Sequence, residues 1–382
     1  MRVFHLPTRI VTGEGCFGTL AEHAAQLGQR VLLVRGASSL RRARRLDQVV
    51  AALRSAGLAV RVYDAVLGEP TLDIVQQGID QAEADSTQIV IGIGGGSAMD
   101  AAKAIAGLYT HPLPASAYMD GEQKVSGGGL PWIGVPTTAG TGAEVTKNAV
   151  LSWPERNLKS SLRHDAWFAR VVLVDPELTL TTPPDITAAT GSDALTQAIE
   201  SYTSTGAMEI TDALAEDAIR RIGRSLECAY RNGQDRAARA DMMYGSMLAG
   251  CAMSNARLGG VHGIAHPLGA RHHIPHGVVC GLLLPYVMAY NVGYATSKYA
   301  RIARILGVDT DGMDQDTAAE HGVERVRELF ARIGIPKRLN QYRVGKEDLG
   351  AIVQDSLPQG SLKSNPRPLA AQDVEAILTA AL

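Results

Sequence analysis

The segment TQIVIGIGGGSAMDAAKAIAG, residues 87–107, runs an apolar, β-branched stretch into Gly94, Gly95 and Gly96, then Ser97 and an alanine-rich run. A short apolar run closed by glycines and followed by small residues of helical character is the strand–turn–helix unit of a parallel α/β sheet. The glycines remove side chains from the turn, so backbone N–H groups can approach a diphosphate, and the start of the helix adds partial positive charge. The turn departs from GxGxxG because Ser97 takes the place of the last glycine, and a tight strand-to-helix connection calls for the same small residues.

Outward from this segment the same alternation continues. Strands are expected at RVLLV (30–34), AVRVYD (59–64), PWIGVPTT (131–138) and RVVLVDP (170–176), with helices over 40–55, 72–83 and 98–107. Parallel strands need a crossover to return the chain, and helices supply it. Past residue 182 the texture becomes helical, with segments at 207–230, 235–256, 277–292, 296–306, 315–333, 346–356 and 371–381 separated by turns such as RNGQD and SLPQGSLKSNPRP. The expected organisation is therefore an α/β dinucleotide-binding domain over 1–181 and an all-α domain over 182–382, with a cleft between them as the default ligand site.

Composition narrows the function classes. The 382 residues are 46% apolar and 20% charged, an ordinary globular balance sized for two or three domains. With 37 Lys/Arg against 39 Asp/Glu and only 3 Trp, 11 Tyr and 4 Phe, the chain lacks the basic field and stacking surfaces of a nucleic-acid binder. No apolar run reaches the ~20 residues of a membrane span, and the N-terminus shows no signal-peptide pattern. The four cysteines are scattered without CxxC spacing, which fits reduced thiols and a cytoplasmic protein.

Two further constellations carry chemistry. PTTAGTGAE (136–144) follows another strand, and its Thr137 and Thr138 hydroxyls suit a ribose or phosphate, although Ser/Thr/Gly clusters also serve ordinary loops. In open α/β sheets ligands bind outside the carboxyl ends of the strands, which favours the ligand reading for both turns. In the helical half, Asp193 and Gln197 stand four apart, as do His262 and His266, so each pair shares a helix face. His272, His273 and His276 follow closely, placing five of the 10 histidines within 262–276. Such a density points to metal binding or proton handling, while Asp193 read alone could be a helix cap.

The motifs GGGSAMDAAK (94–103), GVPTTAGTGAEVT (134–146), VDPELT (174–179), ATGSDALTQAIESY (189–202), HGIAHPLGARHHIPHG (262–277) and NPRP (365–368) occur in the order found in the iron-containing (group III) alcohol dehydrogenases, which the chain resembles along essentially its whole length. The resemblance implies a dehydroquinate synthase-like fold: a Rossmann-like N-terminal domain and an all-α metal domain. It further implies NAD- or NADP-dependent hydride transfer between an alcohol and an aldehyde or ketone, assisted by a divalent metal, Fe2+ or Zn2+. Gly95, Gly96 and Ser97 would hold the diphosphate and Asp100 would lie close by. Thr137 and Thr138 would contact the cofactor, and Lys159 and Leu178 would flank its ribose and nicotinamide. Asp193, His262 and His276 match three metal ligands, and His266 matches the histidine near the nicotinamide. A small-molecule alcohol or aldehyde is the expected partner, and the protein is expected to form a homodimer or larger homo-oligomer.

Two positions depart from the family pattern. Gln197 stands where the family usually has a fourth ligand, a histidine; its neutral amide oxygen is a poorer partner for Fe(II) or Zn(II), so binding is expected to be weaker. Gly36 stands where an acidic residue often accepts the adenosine ribose hydroxyls, so NADPH is not repelled and Arg35, Ser38 or Ser39 could donate to its phosphate. Alternatives are a metal-independent reductase of the maleylacetate reductase kind, with Arg271 in a basic pocket, and a catalytically silent nucleotide-binding relative. A dehydroquinate synthase-like lyase is disfavoured because no Lys/Arg cluster suits a phosphorylated substrate.

Overall fold

In the computed structural model, which describes residues 2–36, 45–156 and 158–382, the strand of the quoted segment, β4 (Ile89–Gly94), sits within a parallel sheet. Six strands form this sheet: β1 (Arg9–Thr12), β2 (Arg30–Gly36), β3 (Ala59–Val66), β4, β5 (Trp132–Pro136) and β8 (Val171–Val174). They lie in the order β1-β8-β5-β4-β2-β3, every neighbouring pair parallel. All six residues of β4 are buried, as expected for a strand covered on both faces.

The two faces of β4 use different residues. Ile89, Ile91 and Ile93 join Leu20 and Ala24 of α1 (Leu20–Ala25) and Val49 and Leu53 of α2 (Leu46–Ser55) in one apolar core. The opposite face carries α4 (Gly96–Leu108), whose alanines let it lie close to the sheet; a Cβ added to Gly92 would fall 2.8 Å from Ala102 Cβ. α3 (Leu72–Ala84) is capped by the Thr71 hydroxyl, which accepts from the Ile74 amide. The first part of the helix expected over 40–55 lies outside the described residues, and its remainder is α2.

Between β5 and β8 the chain forms an antiparallel hairpin absent from the sequence reading, β6 (Asn148–Trp153) with β7 (Leu158–Arg163). β1 was likewise unforeseen, being only four residues at the sheet edge. Sheet, hairpin and flanking helices make one compact unit, Leu6–Thr182.

The second unit, Pro183–Leu382 with the segment Met1–His5, is helical. Its helices are α6 (Pro184–Thr203), α7 (Glu209–Arg231), α8 (Arg236–Ala256), α9 (Gly260–His272), α10 (His276–Asn291), α11 (Thr296–Ile305), α12 (Gln315–Arg332), α13 (Lys346–Ser356) and α14 (Ala371–Ala381), after the short α5 (Ala115–Met119) of the first unit. α6 is the axis, with every residue from Gly191 to Thr203 buried. Two glycines let α10 approach it: a Cβ at Gly277 would lie 2.0 Å from the Ala189 carbonyl oxygen, and one at Gly281 2.9 Å from Ser192 Cβ. The stretch His276–Tyr294 is long and apolar enough to cross a membrane by length and composition, but 56% of it is buried within the fold, as for a core helix.

Candidate functional site

The glycine turn lies at the carboxyl ends of β2 and β4. From β2 the chain steps outward to β3, whereas from β4 it steps the other way to β5, so the sheet reverses direction between these two strands. Crevices at such reversals are the usual ligand sites of open α/β sheets. Gly94 has φ +155°, a backbone shape that L side chains rarely adopt, and a Cβ there would fall 2.7 Å from Ala98 Cβ and 3.1 Å from the Gly36 amide nitrogen.

The second turn packs against the first. The Thr137 amide donates to the Gly94 carbonyl at 2.8 Å, and a Cβ on Gly95 would approach Thr138 Oγ1 to 3.2 Å. At Gly96, the first residue of α4, a Cβ would meet Thr141 Cγ2 at 2.7 Å. Thr137 Oγ1 is buried without a hydrogen-bond partner. A side-chain-free cradle, a helix N-terminus and an orphaned hydroxyl fit a nucleotide diphosphate.

The other residues expected at the cofactor have partners of their own. Asp100 is half-buried; its Oδ2 accepts from the Val150 amide at 3.1 Å and its Oδ1 lies 3.5 Å from Lys103 Nζ. Lys103, fully buried, donates to the Ala143 carbonyl, Thr146 Oγ1 and the Asn148 carbonyl at 2.8, 2.8 and 2.6 Å, pinning the loop after the threonines. This use of the quoted lysine was missed in the sequence. Burial pushes the Asp100 carboxyl up and the Lys103 amine down, each opposed by the other's charge. Glu144, also buried, is pushed up to about 7 by burial, against the pull of Lys103. Lys159 pairs with Glu69, and Leu178 belongs to the apolar core of the sheet. Arg35 is buried, with Nη2 2.8 Å from Asp64 Oδ2; Ser38 and Ser39 lie outside the described residues.

In the helical unit, three helices bring a donor set together. Asp193 comes from α6, His262 from α9, and His276 with Cys280 from one face of α10, one turn apart. One ligand atom from each lies within 4.8 Å of all the others. His262 Nε2 is 3.3 Å from Asp193 Oδ1, His276 Nε2 is 3.8 Å from the same oxygen, and Cys280 Sγ is 3.5 Å from His276 Nε2. Two imidazoles, a carboxylate and a sulfur suit a divalent transition ion, since calcium and magnesium sites are built of oxygen.

Behind His262 stands Glu200, two turns along α6 from Asp193. Its Oε2 is 2.6 Å from His262 Nδ1, and its Oε1 accepts from the Val261 amide at 2.6 Å. A carboxylate behind one ring nitrogen sets the orientation of the other, the usual support for a metal-binding histidine. Asn365 of the NPRP motif accepts from the Gly260 amide at 3.1 Å, so the first turn of α9 is held by side chains of two other segments. Neither Glu200 nor Cys280 was foreseen; their helical spacing from Asp193 and His276 was the available signal.

Electrostatics tie the cluster together. Burial alone would push Asp193 up, but the His262 hydrogen bond and the His276 charge hold it below the usual carboxylate range. Burial opposes the His262 imidazolium, yet Cys280, Glu200 and Asp193 around it raise it well above an ordinary histidine. The buried Cys280 thiol is pushed up to about 12 by burial, with His262 pulling it back.

The remaining expected residues are placed as follows. Gln197 is buried one turn beyond Asp193, and its Oε1 has no hydrogen-bond partner. The His266 ring stacks on His276, centroids 5.0 Å apart and 16° from parallel. His272 ends α9, with His273 in left-handed conformation after it. Arg271 is paired with Asp355 at 2.6 Å, which satisfies the arginine that a basic substrate pocket would have used.

Family models match both halves of the chain. "Iron-containing alcohol dehydrogenase" matches residues 7–176, and "Fe-containing alcohol dehydrogenase family, C-terminal" matches 187–382. Long-chain-alcohol dehydrogenase 1 of Geobacillus thermodenitrificans (strain NG80-2) is 40% identical over 372 residues, 97% of this chain and 94% of that protein. The NAD-dependent methanol dehydrogenase of Bacillus methanolicus is 32% identical over 382 residues, 100% of each. The crystal structure of a 1,3-propanediol oxidoreductase superposes with a TM-score of 0.96 at 35% identity, covering 100% of both chains.

Proposed function

Because this chain belongs to the iron-containing alcohol dehydrogenase family, we propose that its glycine turn seats the nicotinamide coenzyme and that Asp193, His262 and His276 hold a divalent metal. The protein is an alcohol/aldehyde oxidoreductase dependent on a nicotinamide coenzyme and acts on small molecules. The observation that carries the site assignment is the convergence of four donors from three helices, with Glu200 behind one of them.

When bound, the coenzyme supplies the hydride chemistry and the metal a positive charge for the substrate oxygen. The chain's own residues do the rest. Backbone amides of Gly95, Gly96 and Ser97 hold the diphosphate, and Thr137 and Thr138 turn their hydroxyls to the coenzyme. Lys103 keeps the loop after the threonines in place, and Asp100 holds the neighbouring strand β6. Lys159 and Leu178 are assigned to the ribose and nicotinamide side by family correspondence. Glu200 holds the proton on Nδ1 of His262 and leaves Nε2 for the ion. His266, stacked on His276, is assigned to the substrate side, where its ring can pass a proton between the alcohol oxygen and solvent.

Gly36 at the end of β2 presents no carboxylate to repel a 2′-phosphate, so both NADH and NADPH are accepted. Cysteines scattered without CxxC spacing accord with a cytoplasmic setting, and a homodimer or larger assembly completes the assignment. The deciding experiment assays short- and long-chain aldehydes with each reduced coenzyme, with and without Fe(II), Zn(II) or Mn(II). Coenzyme oxidation enhanced by one of these ions is the expected result. Coenzyme binding without turnover on any substrate would reverse the assignment, and light scattering tests the assembly.

A further inference from the structure

Building on the metal-assisted reading above, we propose that Cys280 replaces the histidine missing at position 197 as the fourth ligand. The resulting Asp–His–His–Cys site favours zinc and cobalt(II) over ferrous iron. Cys280 is 0% exposed, and its sulfur lies 3.5 Å from His276 Nε2 and 3.9 Å from His262 Nε2. A buried cysteine is most often a small apolar core residue. Here its neighbours are a carboxylate and two imidazoles, and Cys280 is in no disulfide, so neither core packing nor a disulfide accounts for the placement.

The backbone supports the arrangement. Cys280 follows His276 by one turn of α10, and Gly281 beside it packs on Ser192, the residue before Asp193. The sulfur is thereby carried to the Asp193 face by the helix contact itself. Gln197 adds no charge. A thiolate adds one, so with Asp193 the set carries two formal negative charges to match a divalent cation. Sulfur is also a softer donor than the imidazole it replaces, which moves preference away from ferrous iron. On binding, the Sγ–H proton passes to solvent as the sulfur–metal bond forms, with no change of oxidation state.

The test uses full-length protein stripped with a chelator and reloaded anaerobically with cobalt(II). Wild type should show a near-ultraviolet sulfur-to-cobalt charge-transfer absorption, and the zinc-loaded protein an X-ray absorption shell at about 2.3 Å from sulfur. Cys280→Ser should lose both features, keep the visible cobalt bands, and bind zinc at least ~10-fold more weakly. Circular dichroism and unfolding of the metal-free variant establish that it folds. In Cys280→Ser combined with Gln197→His, iron(II) affinity should recover while the sulfur band stays absent. Cobalt bound with only nitrogen and oxygen neighbours, or unchanged affinity in Cys280→Ser, would overturn the proposal and leave the metal-assisted reading standing. Wild type that takes up no ion would remove both.

Discussion

Glu200 Oε2 and His262 Nδ1 stand 2.6 Å apart in the buried interior of the helical unit, and this contact decides which nitrogen His262 offers to Asp193. The same carboxylate accepts from the Val261 amide, so it fixes the ring and the start of its helix together. Glu200→Gln keeps an acceptor for the amide but removes the charge behind the ring. Zinc affinity should fall about 10- to 100-fold, with secondary structure unchanged. Competition with a chromophoric chelator measures it; affinity equal to wild type would show that the ring is positioned without Glu200.

Lys103→Met should destabilise the α/β unit by about 2–4 kcal/mol, because it removes the partner of the half-buried Asp100 and leaves the acceptors of a buried ammonium unsatisfied. The three acceptors of Lys103 lie in the segment 143–148, so coenzyme affinity should fall as well. Chemical denaturation and coenzyme fluorescence titration report the two effects. A variant that loses neither would show that the loop holds itself.

The pH dependence of stability has a definite sign at Glu144. Its folded-state pKa of about 7 stands above the ordinary 4.5 because burial disfavours the carboxylate. The folded chain therefore keeps a proton there that the unfolded chain releases. The associated stability is fully present below about pH 4.5 and drains away up to pH 7, by about 3 kcal/mol in all. Glu144→Gln stays neutral throughout, so its stability relative to wild type should rise across that window. Denaturation of metal-free protein at several pH values tests this, and parallel curves would refute it.

Gly94→Ala places a methyl group 2.7 Å from Ala98 Cβ on a backbone of φ +155°. We expect a stability loss of ~1–3 kcal/mol and weakened NADH and NADPH binding alike, with metal affinity unaltered. Equal coenzyme affinity would remove the turn from the binding site.

Gly36→Asp introduces a carboxylate where the added Cβ meets nothing closer than 3.6 Å. NADPH affinity should drop at least about tenfold, the equivalent of ~1.4 kcal/mol of repulsion from the 2′-phosphate, while NADH is retained. A parallel loss of both coenzymes would place the adenosine elsewhere.

Much of this was legible from residue patterns. The continuous apolar runs at 30–34 and 87–94 announced strands buried on two faces, and the glycines after the second marked where the sheet reverses. β1 escaped because four residues carry too little periodicity, and the β6–β7 hairpin because β7 (LKSSLR) offers only two apolar residues to mark it as the partner of β6. At the candidate metal site, Asp193, His262 and His276 stood out through histidine density and the family resemblance, and the fold brings them together. Cys280 and Glu200 were not, because each resembles an ordinary buried or helical residue until three helices are seen to converge. Gln197 was marked by its spacing from Asp193, and its buried Oε1 is left without a hydrogen-bond partner.

The near-contact of Gly277 with the Ala189 carbonyl sets how this enzyme can be silenced. A chain carrying alanine there would retain every donor, yet α10 would have to lift away from α6, parting His276 and Cys280 from Asp193. Inactivity in a homologue can thus be inherited through a single methyl group on a residue outside the donor set, and a survey of the donors alone would score that homologue as intact.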